Sequence, residues 1–143
     1  MAAFEDSPAD PRPDSPGPEL STRRLREQSQ RDFELEFLGR ILDRDPYYAD
    51  ALRVHGDNLA ARGEYARALQ VDRRLVRLKP DRAIPWYNLA CSYTLLGLID
   101  PAFSALQRAL ELGYRHTRRL RRDPDLNALR DDPRFDRLLR RFG

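Results

Sequence analysis

One cysteine, one tryptophan, one methionine and two histidines are spread over 143 residues. The single thiol, Cys91, has no partner within the chain, so a disulfide-stapled scaffold is excluded and a reducing cytoplasm is the expected setting. His55 and His116 lie far apart, and no Cys/His pair has zinc-ligand spacing, so no metal site is expected. Lysine is nearly absent as well. Lys79 is the only one, and arginine carries the remaining positive charge. Apolar runs are short and interrupted, which argues against a bilayer span. The start, Met1-Ala-Ala-Phe-Glu-Asp-Ser-Pro, lacks the basic and apolar segments of a secretory signal. No glycine-rich loop follows a strand pattern to cradle a phosphate. With these routes to chemistry missing, the expectation is a protein that is not an enzyme, with no catalytic residue, no metal and no cofactor.

What the chain does contain is charge and helical periodicity. Residues 1–20 set Glu5, Asp6, Asp10, Asp14 and Glu19 against Arg12 alone, interspersed with Pro8, Pro11, Pro13, Pro16 and Pro18. Too few apolar groups remain to offset the entropy of ordering, so this stretch is expected to be a disordered acidic tail. From residue 21 to 45 the pattern turns helical. Phe33, Phe37, Leu38, Ile41 and Leu42 recur at steps that suit one helix face, until Asp45-Pro46 ends the run.

A self-comparison is the most informative test. Residues 49–82, shifted by 34 positions, lie on residues 83–116 without a gap. Leu52 then meets Trp86, Gly56 meets Ala90, Leu59 meets Tyr93, Gly63 meets Gly97, Ala68 meets Ala102 and Leu78 meets Leu112. Shifted the other way, Leu69 meets Leu35, Leu75 meets Ile41, Val76 meets Leu42 and Pro80 meets Pro46. Each unit reads as two helices about a glycine: roughly Tyr48–Ala61 and Tyr65–Leu78, then Pro85–Leu96 and Pro101–Leu112. The helix over residues 21–45 reads as the second half of an earlier unit. Asp100-Pro101, Asp123-Pro124 and Asp132-Pro133 each predict a helix start, because the carboxylate can cap free amides and proline fits the first turn. Residues 117–143 should therefore close the array with short helices, one bearing Leu126 and Leu129, the last bearing Phe135, Leu138, Leu139 and Phe142.

The run Trp86-Tyr-Asn-Leu89-Ala90-Cys-Ser-Tyr93, followed by Gly97, Ala102, Leu106 and Ala109, resembles the tetratricopeptide repeat (TPR) family in residue type and spacing. The resemblance implies an all-α, right-handed α-solenoid: an N-terminal capping helix, unit 1 over residues 49–82, unit 2 over 83–116, and short C-terminal closing helices. It also implies a non-catalytic interaction module that holds a peptide or protein segment in the concave groove. Here that groove would present Arg53, Asp57, Ala60, Ile84, Tyr87, Asn88, Cys91 and Leu95. Departures from the family's pattern are His55 for leucine, Asp72 for a large apolar residue and Leu75 for alanine.

Two narrower readings compete with the plain groove. Arg53, Asp57, Asn88, Arg118 and Arg122 match the spacing of a clamp that some TPR domains use for a terminal carboxylate, but Asp57 would repel that guest. The segment containing Arg115, Arg118, Arg119, Arg121 and Arg122 could neutralise nucleic-acid phosphates, yet it lacks interleaved aromatics, and Asp123 and Asp125 follow at once. A protein partner is the leading expectation, nucleic acid the alternative, and a membrane none. A weak homo-oligomer through the apolar ends of the array is compatible with either.

Overall fold

The structure, a computed structural model, describes residues 18–142, with side chains described from Thr22 onward. The acidic tail expected over residues 1–20 falls almost wholly outside the described residues. Every regular element described is helical: α1 (Pro18–Arg44), α2 (Ala49–Ala61), α3 (Tyr65–Leu78), α4 (Ala83–Leu95), α5 (Ile99–Glu111), α6 (Thr117–Arg122), a 3-10 turn (Pro124–Leu126), α7 (Asn127–Arg130) and α8 (Pro133–Phe142). The chain divides into two compact units between Asp32 and Phe33. The described part of the first is the opening of α1, where Arg23 and Glu27 pair one turn apart at 3.1 Å on an exposed face. Such a pair contributes a few tenths of a kcal/mol.

In the second unit, α2 packs on α3, α3 on α4 and α4 on α5. Three glycines make the reversals. Gly63, Gly97 and Gly113 have φ of 84°, 75° and 103°, a region that side-chain-bearing residues rarely adopt. Each sits in the same closing pattern: the Gly97 amide donates to the Thr94 carbonyl and the Leu98 amide to the Tyr93 carbonyl, both at 2.9 Å. Carbonyls that the helix end leaves free are thereby satisfied. Helices α2 and α4 start 34 residues apart, as do α3 and α5.

Burial differs between the paired helices for a physical reason. Helix α5 buries one stripe, with Ala102, Ala105, Leu106 and Ala109 at spacings of three and four. Helix α4 buries Tyr87, Leu89, Ala90, Cys91, Ser92 and Thr94, because α3, α5 and the 3-10 turn approach it from different sides. Small residues at the crossings (Gly56, Ala68, Ala90, Ala102) let backbones approach. Leu120, Leu126 and Leu129 are fully buried and join the core of α4, α5 and α8. Leu35, Leu42, Ala51, Leu52, Leu59, Ala68, Val71 and Leu75 form a second core cluster around α2.

Three local expectations are corrected. Phe33 and Phe37 do not share the buried face of α1. They are exposed and stack on each other at 6.1 Å, while Leu35 and Leu42 point into the core. The five apolar residues of the expected face span about half the helix circumference, and the side that packs is the one with Leu35, Leu38, Ile41 and Leu42, leaving Phe33 and Phe37 at the exposed edge. Asp100-Pro101 does not start α5. The helix begins at Ile99, and the Asp100 carboxylate instead accepts from Arg134 Nη1 at 2.7 Å. Helix α4 likewise begins at Ala83, before Pro85, since a first turn needs no amide hydrogen there. The other two Asp-Pro pairs do cap: Asp123 accepts from the Asp125 amide at 3.0 Å and Asp132 from the Arg134 amide at 2.9 Å.

Candidate functional site

Two cavities lie against α2 and α4, and Asn88 lines both. The first, about 540 Å³, has a floor of Ala49, Leu75, Ala83, Ile84 and Pro85, with Arg53, Lys79 and Arg82 among its walls. Ile84 is 57% exposed within it. The second, about 300 Å³, is lined by Asp57, Asp72, Asp123 and Asp125, together with Ala60, Tyr65, Tyr87, Cys91, Ser92, Leu95 and Arg119. Four carboxylates therefore face one guanidinium.

The acidic cavity is assembled from distant parts of the chain. Helix α2 supplies Asp57 and α3 supplies Asp72, which is 7% exposed. The Ser92 hydroxyl of α4 donates to Asp72 Oδ2 at 2.6 Å, and no described residue donates to Oδ1. Burial lifts the Asp72 pKa to about 6, with the nearby Asp57 charge adding to the rise and the Ser92 bond opposing it. Burial also raises Asp57, against the pull of Arg53 and Arg119. Asp125 is raised by burial and by its neighbour Asp123. Asp123 is better satisfied: the Tyr87 hydroxyl donates to it, and Arg119 lies 3.8 Å away.

The predicted groove residues are thus divided. Asp57, Ala60, Tyr87, Asn88, Cys91 and Leu95 meet in the acidic cavity, while Arg53 and Ile84 line the larger one. Tyr87 is 2% exposed; its ring stacks on Tyr114 at 4.5 Å, with the Arg119 guanidinium 5.5 Å from the ring centre. It is a wall of the cavity rather than a free contact. Cys91 is buried, and burial together with Asp123 and Asp125 pushes its pKa up. Residues of the clamp spacing separate: Arg53 lines the larger cavity, Asp57 the acidic one, Asn88 both, while Arg118 and Arg122 line neither.

The arginine-rich segment forms α6. Arg115 donates to the Leu110 and Tyr114 carbonyls at 2.8 and 2.9 Å, and Arg119 is committed to Tyr87 and Asp123. Arg118, Arg121 and Arg122 stay exposed. Arg118 and Arg122 join Arg115, His116, Thr117 and Arg119 around a third cavity of about 510 Å³. His55 is buried with Gly39 of α1 near its ring, and its Nδ1 has no hydrogen-bond partner. Burial first, then Arg67, lowers its pKa.

Sequence reasoning missed Asp72, Asp123 and Asp125 as cavity walls. The one available signal was Asp72, whose 34-residue partners are Leu38 and Leu106. Cys91, Asp123 and Asp125 also converge, with potential ligand atoms all within 4.8 Å of one another, and these three could hold a metal ion. Among the described residues no helix is long and apolar enough to cross a membrane.

No family model matches the chain. Over 90 residues, 61% of its length, the chain is 37% identical to a chloroplastic protein of Arabidopsis thaliana. That match spans 27% of the Arabidopsis protein, so the chain corresponds to about a quarter of the relative.

Proposed function

We propose that residues 33–142 are a TPR-type α-solenoid and work as a non-catalytic interaction module, holding a segment of a partner protein against α2 and α4. The observation that carries this reading is the pair of adjoining cavities on those two helices, joined at Asn88. The 34-residue spacing of the helix starts and the recurring glycine reversals support the repeat reading, since stacked hairpins related by a fixed step leave their first helices side by side. An apolar floor with Ile84 exposed, bordered by polar and charged walls, is the composition of a peptide site. We place the module in the cytoplasm, where a buried free thiol such as Cys91 stays reduced.

A photo-reactive amino acid at Ile84, compared with one at Arg73 on the exposed side of α3, tests the reading in cells. Adducts that map to one class of segment and form at position 84 alone are expected. Equal labelling at both positions, or none at 84, refutes it.

One observation favours a second reading. Arg118, Arg121 and Arg122 have no ion pair among the described residues, and a cavity opens beside two of them. RNA or DNA binding through α6 would weaken steeply with salt and be lost on reversing those three charges. Arg115 and Arg119 are exposed as well but are engaged by backbone carbonyls and by Asp123, so fewer unpaired guanidinium groups remain for it than the sequence offers.

A further inference from the structure

Resting on the groove reading above, we infer that the guest segment presents a lysine or arginine side chain to the cavity formed by Asp57, Asp72, Asp123 and Asp125. Four carboxylates face one guanidinium in a space of about 300 Å³, roughly the volume of ten water molecules. Arg119 pairs with Asp123 and lies over the Tyr87 ring. Arg53 and Arg119 act on Asp57 only from a distance, and Asp57, Asp72 and Asp125 have no ion pair among the described residues. Asp72 makes the independent case. It is 7% exposed, only one of its oxygens accepts a hydrogen bond, and the other is left for a donor from the cavity. That oxygen is not sealed from solvent, and of the donors able to reach it a cationic one bonds a largely buried carboxylate most strongly.

The shape of the wall favours a side chain over a metal ion. The carboxylates come from α2, α3 and the 3-10 turn, and so are spread along the cavity rather than gathered about one point. Where ligand atoms do gather, at Cys91, Asp123 and Asp125, the thiol is buried and held protonated, and Asp123 already accepts from Tyr87. A metal requires deprotonated ligands. A long side chain suits the remainder. Ala60, Ala61, Leu95 and the Tyr65 and Tyr87 rings can take its methylenes while the charged end reaches the acids.

Neighbouring features add a spacing. Arg53 and Asp57 are one turn apart on α2, about 6 Å along the axis, and they line different cavities. An extended guest rises about 3.3 Å per residue. Its cationic residue should therefore lie about two positions from the residue that passes Arg53 in the larger cavity. The positive charge of Arg53, Lys79 and Arg82 around that second cavity disfavours a second cation there and sets the direction of the guest.

Immobilised nonapeptide pools, randomised except for a central Lys, Arg, Gln or Glu, test this with the full chain. Retention of the Lys and Arg pools at least tenfold above the Glu pool is expected. The Asp72→Asn, Asp125→Asn double variant should reduce that preference to within about twofold, with no fall in melting temperature. Pools that bind in an Ile84→Glu-sensitive way without preferring a cation would overturn the cation pocket and leave the groove. Binding no better than that of the Ile84→Glu variant in every pool would overturn both. Saturable heat on titrating Zn²⁺ or Mn²⁺, lost in Asp125→Asn, alongside charge-indifferent peptide binding, would assign the cavity to a metal instead.

Discussion

Asp72→Asn keeps the acceptor that the Ser92 hydroxyl needs while deleting the charge that burial opposes. The carboxyl titrates at 3.8 when unfolded and at about 6 in the folded chain. Two pKa units correspond to about 3 kcal/mol. Proton counting fixes the sign. Between those two pKa values the folded state binds more protons than the unfolded one, so this group's contribution to stability is full below about pH 4. It is lost as pH rises to about 6 and stays absent above that. Asparagine is neutral throughout and should be more stable than wild type at pH 7, by about 1–3 kcal/mol once the unpaired amide is allowed for. Thermal unfolding followed by circular dichroism at pH 4, 5, 6 and 7.5 reads this directly. A rise of several degrees in Tm at pH 7.5, shrinking toward zero by pH 4, is the expected result. A gap that does not change with pH, or a variant less stable than wild type at pH 7.5, would refute the claim that Asp72 is ionised there at a cost.

His55→Leu should also stabilise, by about 1 kcal/mol at pH 7, since it removes a buried nitrogen with no partner. Burial lowers the histidine pKa, so the unfolded state binds more protons just below pH 6.5 and wild type loses stability on acidification there. The leucine variant should lack that loss in calorimetry between pH 5 and 7.5. Leu120 is fully buried where α6 meets the core, and Leu120→Ala should cost about 2–5 kcal/mol in urea unfolding. If the cost stays under about 1 kcal/mol, α6 does not belong to the folded unit. Cys91 should react with a disulfide-exchange reagent far more slowly in the native protein than in urea, because it is both buried and protonated.

Helix type and order were legible in the sequence because they rest on short-range rules. The reversal glycines and the 34-residue shift placed α2 to α5 within about two residues of their observed ends. The errors have physical causes. Hydrophobicity alone assigns Phe33 and Phe37 to the core, but an apolar arc half a helix wide cannot say which of its edges finds a partner. Asp100 reads as a cap because a cap and a long-range ion pair use the same carboxylate, and Arg134 is 34 positions away. The candidate site was half legible. Asp57, Asn88 and Cys91 follow from the groove register, whereas the wall made by Asp123 and Asp125 depends on how the 3-10 turn meets α4, a contact that no spacing encodes.

The acidic cavity also marks where the two repeats differ in volume as well as charge. At the crossing of α2 and α3 the chain pairs Gly56 with Asp72, and 34 residues on it pairs Ala90 with Leu106. A Cβ on Gly56 would lie 3.0 Å from Asp72 Oδ1 and 3.3 Å from Val71 Cγ1. Alanine is therefore compatible with leucine at one seam, and glycine is what leaves room for the carboxylate at the other. An aspartate that only tolerated its position would sit in the Ala/Leu packing and distort it. Here the neighbour is the smallest residue available, and a hydroxyl from α4 fixes one oxygen while the other remains unused. Space, a positioned bond and a spare acceptor together make Asp72 a provided-for charge, and a provided-for charge facing a cavity is a reason to look for its counter-charge outside the chain.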